Sequence, residues 1–74
     1  MEKLPEPREW MTQLREAKCL SERQLAKEAE VSNVYISLIE KGERTPSPDI
    51  AMRIGGALGL SPEESLNKFF IRVA

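Results

Sequence analysis

The sequence predicts an all-α domain of five short helices. Apolar residues recur at three- to four-residue spacing within each segment, serines stand immediately ahead of four segments as start signals, and glycines close two of them. No stretch reads as a strand, an internal repeat or a low-complexity segment.

The first helix opens at Glu6-Pro7-Arg8-Glu9, with proline suited to a first helical position and acids set against the positive end of the helix dipole. Trp10, Met11, Leu14 and Ala17 then form one face expected to be buried, and the helix runs to about Lys18. Ser21-Glu22-Arg23-Gln24 has the spacing of a capping box, in which a hydroxyl and an amide each satisfy an orphaned backbone N–H. A second helix therefore starts at Ser21 and ends near Ala29. Ser32 caps a third helix with Ile36 and Ile39 facing inward, and Gly42 stands where a helix leaves through a left-handed residue. Arg44-Thr45-Pro46-Ser47-Pro48 reads as a loop, after which Ser47, Pro48 and Asp49 start a fourth helix through Ile50, Ile54 and Leu58 to Gly59. Gly55-Gly56 inside that helix weakens it by about 1 kcal/mol per glycine relative to alanine, so close packing is the expected reason for the pair. Ser61-Pro62 starts a fifth helix with Leu66, Phe69, Phe70 and Val73 on one stripe.

With 74 residues, the chain has room for one small domain whose core is just large enough for independent folding. Residues 8–74 are expected to form that domain and residues 1–7 a flexible N-terminal arm. A composition of 41% hydrophobic and 31% charged residues is that of an ordinary soluble protein, and no apolar run is long enough to cross a membrane. The N-terminus lacks the apolar segment of a secretory signal, which points to the cytoplasm. With one cysteine, Cys19, and no histidine, neither an internal disulfide nor a zinc constellation is expected. Cys19 reads as an inert thiol near the core, since no basic cluster or second cysteine accompanies it. Enzymatic chemistry has nothing to act with: there is no glycine-rich phosphate loop and no serine or cysteine with a recognisable base, so no cofactor is expected.

The segment from Leu25 to Gly42 reads as two short helices joined by a tight turn, the arrangement of a helix-turn-helix. The wider order of signals runs from Leu14-Arg15 through Ser21-x-x-x-Leu25-Ala26 to Val31-Ser32, Ile36-Ser37, Ile39-Glu40-Lys41-Gly42, Pro46 and Ala57-Leu58-Gly59-Leu60-Ser61. In this order the chain resembles the Cro/C1-type helix-turn-helix family of lambda-repressor-like domains and XRE-like regulators, over roughly Met11 to Leu66. The resemblance implies a five-helix lambda-repressor-like DNA-binding domain in which the second and third helices form the reading unit.

It also implies roles for individual residues. Arg15 and Glu40 match an enclosed salt bridge between the first helix and the end of the third; the alternative puts Arg15 on phosphate. Ser32, Asn33, Val34, Ser37 and Leu38 match positions that project toward base edges. Asn33 has the chemistry to form two hydrogen bonds with an adenine edge and Val34 to press on a thymine methyl, each contact being worth about 1–3 kcal/mol of discrimination. The plainer alternative is that Asn33 supports the helix start and Val34 fills a gap. Ser21, Arg23, Tyr35, Lys41 and Arg44 match the phosphate side, with Tyr35 also packing at the core margin.

Four positions depart from the family pattern. Glu22 replaces a glutamine that bonds phosphate, and an acid there suits the helix dipole but repels the DNA backbone. Leu38 places an apolar side chain where a polar or basic one is usual. Cys19 and Glu30 stand where glycine is common, and a left-handed backbone at either costs roughly 1–2 kcal/mol.

The function implied is a transcriptional regulator, a repressor in the leading reading, that binds double-stranded DNA as a homodimer on a palindromic operator. No small-molecule effector is indicated. Leu66 and Phe70 are expected to close the core, leaving Phe69 or Val73 for the dimer; alternatively all four are core residues. The balance of 11 Lys and Arg against 12 Asp and Glu sets a limit, because any basic patch must be local. It also leaves room for a second reading, an antirepressor- or antitoxin-like module that grips a protein through Val34 and Leu38.

Overall fold

A computed structural model describes residues 6–70 and folds them into five α-helices, with no strand among the described residues. They are α1 (Glu9–Ala17), α2 (Glu22–Ala29), α3 (Asn33–Glu40), α4 (Pro48–Ala57) and α5 (Pro62–Phe70). The contacts pair α2 with α3 and α4, α4 with α5, and α1 with α3, so the helices wrap a single core.

Serines start four of the five helices. Ser21 and Gln24 form the expected capping box, the hydroxyl accepting from Gln24 N–H at 3.0 Å and the Gln24 amide oxygen from Ser21 N–H at 2.8 Å. Ser32 and Ser47 accept from Tyr35 N–H and Ile50 N–H respectively. Ser61 and Glu64 form a second box, with reciprocal bonds of 3.1 and 2.9 Å. The start of α1 differs from expectation. Arg8 precedes its first residue and makes no side-chain cap, so Pro7 lies outside the helix.

The first four helices end alike. Cys19, Glu30, Gly42 and Gly59 have φ of 58°, 59°, 79° and 88°, and each lies one or two residues beyond its helix. In each case the left-handed residue donates to the carbonyl three back, and the next residue donates to the carbonyl five back, as in Leu20 to Arg15 and Val31 to Ala26. These are Schellman closures, which satisfy carbonyls that the helix leaves orphaned. Glycine makes two of them at no steric cost, whereas Cys19 and Glu30 hold the same geometry against their own Cβ.

Met11, Leu25, Ile36, Ile39 and Ile54 are fully buried, joined by Ala26, Ala29, Ala51, Leu58 and Phe69. Each large side chain contributes about 1.5–3 kcal/mol through removal from water. Three packing expectations need correction. Ala17 is exposed, because α1 stops there and the chain turns away at Lys18. Cys19 is likewise exposed rather than near the core. On α5 the adjacent aromatics exchange places: Phe69 is 9% exposed and Phe70 41%. Phe69 turns inward because Trp10 meets it edge to face, with ring centroids 5.0 Å apart at 73°. Phe69 is thus occupied by its own chain rather than available as a dimer contact, and Val73 lies outside the described residues.

Only one of the paired glycines in α4 is explained by close packing. A Cβ on Gly55 would collide with the Ser65 hydroxyl and lie 2.5 Å from Ser65 Cβ, whereas one on Gly56 would meet nothing within 4 Å. Ser65 is itself buried, and its hydroxyl is satisfied within its own helix start by donating to the Ser61 carbonyl at 2.8 Å, so α4 and α5 pack closely with no polar group stranded between them.

Candidate nucleic-acid interface

The third helix divides its residues cleanly. Ile36 and Ile39 are fully buried, while Ser32, Asn33 and Val34 at its N-terminal end are exposed, Val34 by 67%. Counting from Val34, Ser37, Leu38 and Lys41 fall at helical offsets of three, four and seven, so one outward stripe runs from an apolar tip to a cation. Ser37 and Leu38 are half-buried on that stripe. No acidic residue lies in the first turn of α3, so the positive end of its dipole meets no side-chain charge there, only the Ser32 hydroxyl.

Ser32 caps the helix, which commits its acceptor to Tyr35 N–H at 3.0 Å and leaves the hydroxyl proton for an outside partner. Tyr35 is half-buried against the core, as expected for a residue at its margin. Ser21 is likewise a cap, and Arg23 is exposed on the first turn of α2. Lys41 and Arg44 are exposed at the exit of α3.

Behind this surface lies the ion pair. Arg15 Nε donates to Glu40 Oε2 at 2.7 Å, and the two side chains are 12% and 8% exposed. Thr12 Oγ1 donates to Glu40 Oε1 at 2.9 Å, and an Arg15 terminal nitrogen donates to the Leu20 carbonyl at 2.7 Å. An acid at a helix C-terminus opposes the dipole, and here the guanidinium and the threonine hydroxyl offset that penalty. The hydrogen bond to Glu40 is the main reason the Arg15 pKa stands above its ordinary value, with the nearby charges of Glu40, Glu22 and Glu16 adding to it.

One residue with several contacts carried no sequence signal. The Arg8 N–H donates to the Glu40 carbonyl at 2.7 Å, and its guanidinium donates to the Ile39 carbonyl at 2.7 Å and the Arg44 carbonyl at 3.0 Å. The same guanidinium lies over the Phe69 ring, 5.4 Å from its centroid, and its burial lowers its pKa. Its acceptors lie 31 and 36 residues away, beyond the reach of any local pattern. Thr12, whose acceptor Glu40 lies 28 residues away, has no local signature either. Among the described residues, no buried side-chain nitrogen or oxygen lacks a partner.

Two short packed helices joined by a tight turn, one braced by the core and one presenting an exposed N-terminal stripe, define a helix-turn-helix domain. A helix-turn-helix family model matches residues 11–65, and the chain belongs to that family, in its Cro/C1 type. An uncharacterized HTH-type transcriptional regulator of Mycobacterium tuberculosis is 47% identical over 49 residues, which are 66% of this chain and 35% of the relative. The chain thus spans about a third of that regulator's length. Among solved structures, the restriction-modification controller protein C.AhdI from Aeromonas hydrophila superposes with a TM-score of 0.72 at 29% identity, covering 78% of this chain and 88% of that one. SinR of Bacillus subtilis, a master regulator for biofilm formation solved in complex with DNA, gives 0.70 at 30% identity over 80% of this chain and 95% of its own. The family and these relatives are transcriptional regulators rather than enzymes. Among the described residues, no helix is long and apolar enough to cross a membrane.

Proposed function

We propose that this protein is a sequence-specific regulator that reads double-stranded DNA by laying α3 in the major groove. The observation that carries the reading is the division of labour on α3: Ile36 and Ile39 hold the helix in the core, while Asn33 and Val34 stand free at its N-terminal end. Asn33 would specify adenine and Val34 a thymine methyl, with Ser32, Ser37 and Leu38 completing the base contacts. Arg23, Lys41 and Arg44, with Ser21 and Tyr35, would meet phosphate on either side.

The regulator would act in the cytoplasm as a homodimer, its two reading helices entering successive grooves about 34 Å apart on a roughly palindromic operator, and would repress by occluding a promoter. Phe70, exposed at the end of α5, takes over from Phe69 as the described apolar residue available to such a dimer. Selection of bound sequences from a random DNA pool tests the proposal. An enriched palindrome is expected; a pool that shows no enrichment would overturn the sequence-specific reading.

The exposure of Val34 and the apolar Leu38 beside it favour one second reading, a module that grips another protein through α3. A salt titration separates the two, because binding through several cations weakens steeply with salt while apolar contact does not.

A further inference from the structure

We propose that Arg8, ahead of the reading unit in sequence, is a positioning residue for the phosphate contact at the exit of α3, an inference that rests on the DNA-binding reading above. Three sets of contacts lead to it. The first is at the exit itself, where Gly42 turns the chain in the left-handed region and Glu43 N–H and Arg44 N–H both donate to the Leu38 carbonyl, at 2.9 and 3.3 Å. The second is Arg8, whose guanidinium holds the Arg44 carbonyl at 3.0 Å and the Ile39 carbonyl at 2.7 Å, while its own N–H binds the Glu40 carbonyl at 2.7 Å. Arg44 is therefore fixed on both sides of its Cα, by α3 through its N–H and by Arg8 through its C=O, while its side chain remains exposed.

The third set anchors Arg8. Its guanidinium lies over Phe69, which Trp10 packs edge to face, so the group that grips the exit is held by α1 and α5. The Glu6 carbonyl lies directly against Gly42, where a Cβ would collide with it, so the segment from Glu6 to Arg8 crosses the exit as a strap. Released from this strap, residue 44 would keep only its longer bond to Leu38. The Arg44 side chain would then sample positions away from the groove edge, and ordering it on DNA would cost conformational entropy that the strap now removes in advance.

The test is a double-mutant cycle on DNA affinity, using Arg8→Met, Arg44→Ala and the pair, with a mixed-sequence duplex because phosphate contacts do not depend on sequence. Arg8→Met is expected to weaken binding about fivefold with the slope of log affinity against log salt unchanged, because Arg44 still reaches its phosphate at an entropic cost, whereas Arg44→Ala lowers that slope by about 0.9, the share of one phosphate. Adding it to Arg44→Ala should then cost little more, since the group it positions is gone. Additive losses would overturn the inference, because they would mean that Arg8 touches DNA itself or acts elsewhere; an unchanged affinity in Arg8→Met would overturn it equally. If Arg8→Met does not fold, Arg8→Lys runs through the same cycle, as it keeps the charge but its shorter side chain ends before the Nη1 position from which both carbonyls are held. A wild-type protein that fails to bind the duplex brings down the DNA-binding reading and this inference together, whereas binding with an additive cycle brings down only the inference.

Discussion

Arg15 and Glu40, 25 residues apart, meet at 2.7 Å in a nearly enclosed ion pair that ties α1 to the last residue of α3. Because the carboxylate also takes the Thr12 hydroxyl, its two oxygens are both engaged. Glu40→Ala should therefore leave a guanidinium and a hydroxyl without their acceptor, at a cost of about 3–5 kcal/mol. Replacing both charges, as Arg15→Met with Glu40→Leu, should recover most of that loss. Urea denaturation of the three proteins checks this, and a double variant no more stable than Glu40→Ala would show that the cost lies elsewhere.

Neighbouring glycines in α4 should respond in opposite directions. Gly56→Ala adds a methyl to open space and should stabilise the protein by about 1 kcal/mol, raising the melting temperature by roughly 4–8 °C. Gly55→Ala drives a methyl into Ser65 and should destabilise it. Thermal melts that move the same way for both variants would contradict the packing described for α4 and α5.

Glu30→Gly should stabilise the turn between α2 and α3, because Glu30 holds φ of 59° without glycine's freedom. The relief of roughly 1–2 kcal/mol in the folded state is offset in part by about 0.5–1 kcal/mol of added freedom in the unfolded chain, leaving a small net gain. Cys19→Gly should behave likewise. Denaturation midpoints below wild type for both would refute the strain argument.

Acid should weaken the start of α5. The Glu64 carboxylate accepts from the Ser61 N–H, which is the main reason its pKa lies below the usual 4.5. A carboxyl with a folded-state pKa below its unfolded value binds protons more readily when unfolded. Its stabilising contribution is therefore complete above the unfolded pKa and lost as pH falls through the folded one. Glu64→Gln keeps the capping geometry without the charge, so wild type should lose stability relative to this variant below about pH 4.5. Parallel melting curves across that range would rule out the effect.

Asn33→Ala should lower affinity for a selected operator by about tenfold while leaving the melting temperature near that of wild type, since Asn33 is exposed and outside the core. The comparison to make is cognate against scrambled duplex. Equal discrimination by wild type and variant would remove Asn33 from the specificity set.

The parts of this fold that were legible in the sequence are those governed by neighbours along the chain. Ser21, Ser32, Ser47 and Ser61 act on backbone groups within three residues, so their spacing alone located the helix starts. The left-handed closures at Gly42 and Gly59 were legible for the same reason, and those at Cys19 and Glu30 through the resemblance to glycine-bearing relatives. Legibility failed where a distant partner decides. Phe69 and Phe70 are adjacent on one helical stripe, and only the position of Trp10 on α1 selects which turns inward. Along the chain Arg8 has only the signature of a helix start, because its acceptors lie far away at the end of α3 and in the following loop. At the candidate interface, exposure of Asn33 and Val34 followed from the burial of Ile36 and Ile39, but the strap that fixes Arg44 had no local signature.

The exposed position of Cys19 also makes it a useful handle. It is the single thiol of the chain and lies in the turn two residues before Ser21, the N-cap of α2. A maleimide dye should attach there stoichiometrically in the folded state, with no competing site and no need to engineer a cysteine elsewhere. Placed beside the N-terminus of the bracing helix, such a dye would turn the native sequence into its own fluorescent reporter of an approaching duplex.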